Sequence, residues 1–268
     1  MFSCPKFKKI EFIDLLVNAS YYGHLLNIHG AVGFKKLNIT EGQQHELARR
    51  LGDFVNWVPN TKNPNLVFES FHETLELEII NKPPKQKLLV EWNMGQRDEV
   101  RSVGSILNNI NFGCDKRSGS TLLMDMRKVF DLIQFQEWKD FLSEVKWVDR
   151  ETGLSRNLVE IHRNTKQKIL MFFDELVIEH DSKTKPNPRY KFFVYGKEID
   201  SEQKDLFVQI INSVFEIIYI CNLNLLEEWK WNEKDLLIVD DSCMRKATKG
   251  GFKYGSRIMI HQKCSAMQ

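Results

Sequence analysis

The 268-residue chain reads as a mainly β protein, a double-sheet barrel with helices packed on one side. Two observations predict this. Short runs of strand-forming residues, bounded by turn residues, recur along most of the sequence. The few helical segments stand before or between those runs, without the regular strand–helix alternation of a doubly wound sheet. No internal repeat, low-complexity tract or interdomain linker interrupts the pattern, so one domain is expected over residues 1–268.

The elements follow in order. "EFIDLLVNASYYGHLLNIHG" has helical spacing and meets a stop at Gly30, after which "AVGFKKL" reads as a short strand. "TEGQQHELARRLGDF" carries a strong helix start, with Thr40 as N-cap and Gln43 three residues on. Leu47 and Leu51 share one face of that helix, and Gly52 supplies its expected stop. "NLVFESF", "ETLELEII" and "KLLVEW" read as strands, as do "SVGSILNNINF" and "TLLMDM" on either side of the turn "GCDKRSGS". "MRKVFDLIQFQEWKDFLSEVKWV" lacks Gly and Pro and is amphipathic, so one helix is expected there. "NLVEIHRNTKQKILMFF" predicts two strands joined through "RNTKQK". "HDSKTKPNPRYK", residues 180–191, is the most loop-like stretch and is expected to be a lid or a surface loop. Asp200, with Gln203 three residues later, marks the start of another helix. "EWKWNEKDLLIVDDS", a Gly/Lys-rich loop "KATKGGFKYG" and the strand "SRIMIHQ" close the chain.

Composition narrows the function classes. Charge is nearly balanced, 38 basic against 36 acidic side chains, which is not the footprint of a nucleic-acid binder. The five cysteines (Cys4, Cys114, Cys221, Cys243, Cys264) form no C-x-x-C pair, so neither a zinc knuckle nor a disulfide framework is indicated. The N-terminus lacks a secretory signal pattern, and no apolar stretch reaches the ~18 residues that span a bilayer. The nearest, "LFVQIINSVFEIIYICNLNLL", is interrupted by Gln209, Asn212, Glu216 and Asn222 and reads as a buried helix. A cytoplasmic protein with no membrane partner is expected.

No phosphate loop or G-x-S-x-G motif is present. His24 and His29 are five residues apart and do not share a helical face. His72 and Glu73 are adjacent on an expected strand and point to opposite sides. His162 reads as a structural hairpin residue.

Five segments, in order and over residues of about 25 to 262, resemble the taurine-dioxygenase-like (clavaminate-synthase-like) family of iron(II)/2-oxoglutarate oxygenases. "NIHGAVGFKKLNITEGQQHELARRLGDF" is similar to the family's opening strand and helix. "GSTLLMDMRKVFDL" resembles G-D-T-L-F-x-x-M-x-x-A-Y-D-x-L. "VEIHRNTKQKILMF" resembles H-P-x-T-G-x-x-x-L-Y/F. "WKWNEKDLLIVDDSCMRKA" is similar to F-x-W-x-P-G-D-L-x-I-W-D-N-R-x-x-x-H-x-A, and "SRIMIHQ" to R-x-M-x-R. The resemblance implies a distorted double-stranded β-helix, a jelly-roll barrel. It also implies a small carboxylate-bearing, amino-acid-like substrate in a biosynthetic pathway.

The family holds iron with a His-x-Asp pair and a distant His, leaving positions for 2-oxoglutarate and oxygen. The strand-and-turn stretch "LLVEWNMGQ" supplies the first pair's position, where this chain has Asn93 and Gly95; the distal His position falls on Lys246. Gly95 alone would match the halogenating oxygenases, but those keep both histidines. Iron(II) is therefore not expected, because an amide oxygen binds it poorly and an ammonium has no lone pair to give. By the same resemblance Thr121 and Arg257 fall on residues that contact the carboxylates of 2-oxoglutarate. His261 replaces a second Arg four residues past Arg257. A bidentate guanidinium suits a carboxylate, so 2-oxoglutarate or a similar acid remains the expected ligand.

Lys246 and Asn93, with Gly95, are the catalytic candidates. A desolvated lysine can act as a base or nucleophile; the plain alternative is that Lys246 points to solvent or pairs with Asp240 or Asp241. Three functions follow: a metal-independent or altered enzyme, a non-catalytic binding or partner subunit, and an iron oxygenase with atypical ligands. A second copy or an active homologue is the partner that the second function would require.

Overall fold

The computed structural model describes residues 4–59, 65–68, 102–112, 120–172, 176–180, 183–220, 225–248 and 257–267. These divide into two compact units, residues 1–124 with 226–268, and residues 125–225. Both mix strands and helices, with strands the more numerous.

The first unit is built on two sheets. Its strands are β1 (Lys6–Lys8), β2 (Ala31–Lys35), β3 (Trp57–Pro59), β4 (Asn65–Phe68), β5 (Ser102–Phe112), β6 (Thr121–Asp125), and near the C-terminus β15 (Leu226–Trp229), β16 (Leu236–Val239), β17 (Met244–Thr248) and β18 (Arg257–Ala266). The larger sheet runs β1-β2-β16-β5-β18-β3, with β4 also on β18; the smaller runs β15-β6-β17. β1 and β2 pair in parallel, while β16 pairs antiparallel with both β2 and β5, and β18 pairs antiparallel with β5. Neither sheet closes on itself among the described residues. The strands read from "AVGFKKL", "SVGSILNNINF", "TLLMDM" and "SRIMIHQ" are all present, while those expected at 73–80 and 87–92 lie outside the described residues.

Helices α1 (Phe12–Val17), α2 (Ala19–His29) and α3 (Glu41–Val55) cover one side of the larger sheet. Thr40 caps α3 as its sequence predicts: Gln43 N–H donates to Thr40 Oγ1 at 3.2 Å, and the Gln43 side chain accepts from Thr40 N–H at 2.9 Å. Leu47, Ala48 and Leu51 are fully buried against Val32, Phe34, Ile106 and Ile238 of the sheet, and each leucine so placed contributes roughly 1.5–3 kcal/mol. Gly52 does not stop the helix, which runs on to Val55 and ends at Asn56 in the left-handed conformation. Gly52 serves close approach instead, since a Cβ there would lie 2.2 Å from the Trp57 carbonyl oxygen. Gly30 does end α2, at φ +69°.

The second unit contains α4 (Met126–Asp131), α5 (Gln136–Glu144), β7 (Val145–Asp149), β8 (Ser155–Asn157), β9 (Val159–Ile161), β10 (Lys168–Leu170), β11 (Val177–His180), β12 (Lys183–Pro186), β13 (Tyr190–Val194), β14 (Lys197–Glu198) and α6 (Ser201–Ile220). The single helix expected over 126–148 is two helices and a strand. Lys139 Nζ donates to the Asp131 carbonyl at 2.8 Å, satisfying the open end of α4 at the break. The last part, "VKWVD", alternates as a strand, with Val145, Trp147 and Asp149 buried, and pairs with β13 along five residues. Tertiary pairing overrides the helical pattern there.

The 180–191 stretch is likewise not a plain loop, because β12 and the start of β13 lie within it and β12 pairs with β11. The β9–β10 hairpin matches its expectation. So does the start of α6, where Gln203 N–H donates to Asp200 Oδ1 at 2.9 Å. α6 buries Phe207, Ile210, Ile211, Val214 and Ile218, one face at helical spacing. No described helix is long and apolar enough to cross a membrane.

Candidate functional site

The polar centre of the first unit grows out of the turn between β16 and β17. After the buried run Leu236–Val239, Asp240 folds the chain back. Its side chain accepts from Ser242 N–H at 3.0 Å, and its carbonyl accepts from Met244 N–H at 2.9 Å. Asp240 N–H donates to the Gly30 carbonyl at 2.8 Å, which fixes the turn against the end of α2. Asp240 is thus the turn-forming residue, and the next residue, Asp241, is left to carry the charge of the site.

Lys246 lies two residues into β17 and reaches back to Asp241. Its Nζ is 2.6 Å from Asp241 Oδ1, with side chains 17% and 4% exposed respectively. It also donates to Ser105 Oγ at 2.9 Å. Ser105 stands inside β5, opposite Val239 on one side and Lys263 on the other. Its hydroxyl donates to Asp241 Oδ2 in a short hydrogen bond. His261, two residues before Lys263 on β18, occupies the same face as a diagonal neighbour, and its Nε2 is 3.1 Å from Ser105 Oγ.

The hydrogen-bond inventory of Ser105 settles the roles. One proton goes to Asp241, and two lone pairs accept, one from Lys246 and one from His261. His261 must then carry its proton on Nε2. Burial, and next the Lys246 cation, push this imidazole down from 6.5 to about 3, with Asp241 opposing and Lys263 adding a little. His261 is therefore neutral at pH 7. The cluster consists of one ammonium, one carboxylate, one hydroxyl and one neutral imidazole, so its net charge is zero.

Such a cluster can hold a fixed cation and orient hydrogen bonds. It is poorly suited to nucleophilic catalysis. Ser105 is 1% exposed and its proton is committed to Asp241. Lys246 is paired with Asp241, and an ammonium has no lone pair to attack with. Nearby Cys264 is no thiolate either: burial, then Asp241, raise it to about 12.

Of the residues singled out in the sequence, the structure brings Lys246 and His261 together. Thr121, at the start of β6, is buried and its Oγ1 accepts from Trp231 Nε1 at 2.9 Å. Arg257 is placed by its backbone, opposite Phe112 at the start of β18. Asn93 and Gly95 lie outside the described residues. The expected "KATKGGFKYG" loop begins later than its composition suggests, since β17 extends to Thr248 and Lys246 is a strand residue. Among the rival histidines, His24 is exposed on α2. His162 is buried, and its Nδ1 accepts from Thr165 N–H at 3.1 Å, as a hairpin-bracing residue does.

Ser105 escaped sequence reading. A lone serine in a strand carries no signal until register places it between a lysine and a histidine that are 141 and 156 residues away.

No protein-family model matches the sequence, and no curated protein matches it in sequence. Solved structures do match. The chain is similar to a taurine dioxygenase from Burkholderia xenovorans, at 12% identity and a TM-score of 0.67, over 98% of this chain and 88% of that one. It is similar to PvcB from Pseudomonas aeruginosa, at 14% identity and a TM-score of 0.60, over 93% and 82%. PvcB is described as an iron, alpha-ketoglutarate dependent oxygenase from an isonitrile synthetic pathway. A third likeness is to AAD-2 in complex with Mn(II) and N-oxalylglycine, at 13% identity and a TM-score of 0.63, over 100% and 96%. The chain therefore shares its fold with taurine dioxygenase and related iron/2-oxoglutarate-dependent oxygenases.

Proposed function

We propose that this protein is a relative of the iron/2-oxoglutarate oxygenases whose metal site has been rebuilt. In this reading it binds a small carboxylate-bearing, amino-acid-like molecule without iron, as an altered, metal-independent enzyme of a biosynthetic pathway. The reading takes residues 1–268 as one taurine-dioxygenase-like domain, a distorted double-stranded β-helix. What favours this is the likeness to the Burkholderia structure over 98% of the chain.

The observation that carries it is the Lys246–Asp241 pair. Iron(II) needs lone pairs from imidazole and carboxylate. At the position of the distal His stands an ammonium, already bound to a carboxylate at 2.6 Å and to a hydroxyl at 2.9 Å. Asn93 and Gly95, at the other two ligand positions, offer one weak amide oxygen and nothing. These residues do not fit the metal. Thr121 and Arg257 are the carboxylate anchors of the reading, and His261 belongs to the same pocket by the resemblance.

A second reading has its own support. Lys246 is already engaged by Asp241 and Ser105, which suits a non-catalytic binding or partner subunit that supports an active homologue or pairs with a second copy.

The deciding experiment is an anaerobic titration of metal-free protein with iron(II) and 2-oxoglutarate, watching for the visible charge-transfer band of the chelate. No band is expected, with a small acid still binding and Arg257→Ala failing to bind it. A saturable band of normal intensity would restore an iron oxygenase with atypical ligands. Absence of any acid binding would leave the partner reading.

A further inference from the structure

We infer that Lys246 is a built-in cation that takes one carboxylate oxygen of the ligand through its remaining N–H, so that the bound acid needs no 2-oxo group. The inference rests on the carboxylate-binding reading above and names how that site recognises its ligand. A lysine ammonium has three N–H donors. One donates to Ser105, Asp241 stands beside the ammonium as its counter-ion, and no other partner of Lys246 is found among the described residues. The side chain is 17% exposed, so a ligand atom can approach it.

Asp241 and Ser105 do more than neutralise. They tie the ammonium at two points, and Ser105 is itself tied to Asp241 and His261. A long flexible side chain is thereby fixed before any ligand arrives, which removes part of the ordering cost that weakens lysine as an anion site. Arg245 and Lys263 flank these residues in sequence, but neither is needed for the geometry.

The chemistry of that donor sets the ligand class. A metal with two open positions grips a 2-oxo acid through a carboxylate oxygen and the keto oxygen together, and so selects for the keto group. One N–H donates to one oxygen. The keto oxygen gains no second partner from the Lys246 ammonium, and a plain carboxylate fills the site as well. Because the Lys246 and Asp241 charges already cancel, the site recognises the carboxylate through a directed N–H and not through surplus charge.

The test uses metal-free full-length protein in chelator, titrated calorimetrically with glutarate and with 2-oxoglutarate, two acids that differ only in the keto oxygen. Both are expected to bind, with dissociation constants within about threefold of one another. In the charge-neutral double variant Lys246→Met/Asp241→Asn, both should weaken at least tenfold. A tenfold or greater preference for 2-oxoglutarate in the wild-type protein would overturn the inference while leaving the carboxylate site standing. So would unchanged binding in a folded double variant. Failure of wild-type protein to bind either acid would overturn the underlying reading as well. Because the ratio is read on the wild-type chain, the inference stays testable even if the double variant does not fold.

Discussion

Removing the ammonium of Lys246 should cost more than an ordinary surface substitution, and its cost should depend on Asp241. In Lys246→Met the methylene stem is largely kept, but the Asp241 carboxylate, 4% exposed, loses its counter-ion and keeps only hydrogen bonds such as that from Ser105. Taking one partner from a fully buried ion pair costs about 3–5 kcal/mol, and an exposed pair is worth about 0–1 kcal/mol. With the lysine 17% exposed, water can reach part of the vacated space, and about 2–3 kcal/mol is expected. Asp241→Asn should cost about 1–2 kcal/mol, since the freed lysine can swing toward water. The double variant buries no unpaired charge, so it should fall short of the sum of the two by about 2 kcal/mol. Urea denaturation of all four proteins measures this, with equal slopes confirming that the same surface unfolds. Additivity within about 0.5 kcal/mol would refute the claim that Lys246 and Asp241 depend on one another.

Three further outcomes follow from the same geometry. His261 is held neutral well below the ordinary imidazole range, so between pH 6.5 and about 3 the unfolded chain takes up a proton that the folded chain refuses. Stability should therefore fall as pH drops through that window, by up to about 1.4 kcal/mol per pH unit from this residue, and His261→Gln should flatten that limb of a stability–pH curve. Gly104→Ala would place a Cβ 2.3 Å from the buried Trp57 ring, and a loss of about 3 kcal/mol, with a blue- or red-shifted tryptophan emission, is expected in denaturant melts. Thr40→Ala removes the acceptor for Gln43 N–H at the start of α3 and should cost about 1 kcal/mol, measured the same way, whereas Thr40→Ser should be nearly silent.

The helix starts at Thr40 and Asp200 were legible because a capping box is a local interaction, complete within four residues. The strand "TLLMDM" at β6 was legible for a different reason: a short apolar run behind a polar turn has few other uses. The segment ending in "VKWVD" was misread because its apolar spacing suits a helix and a strand equally until β13 is known to lie beside it. Gly52 misled in a similar way. A glycine near the end of a helix signals either a stop or a close approach, and only the position of the Trp57 carbonyl tells them apart. At the candidate site the sequence could place Lys246 by its distance from Asp240, and could offer Asp241 as its partner. It could not supply Ser105, whose contribution depends entirely on the pairing of β5 with β16 and β18.

That dependence bears on how the cluster is held together. In a metal site the ion organises its ligands, and each ligand can be positioned by its own strand with the ion closing the gap between them. Here the closing element is a hydroxyl. Ser105 accepts from Lys246 and His261 and donates to Asp241, joining β17, β18 and the turn after β16 through one residue of β5. The link is neutral, and it is specified wholly by the chain. Nothing has to be acquired from solution for the geometry to exist, and no titration of bound water accompanies it. What results is an ammonium fixed between two sheets by residues of the chain alone.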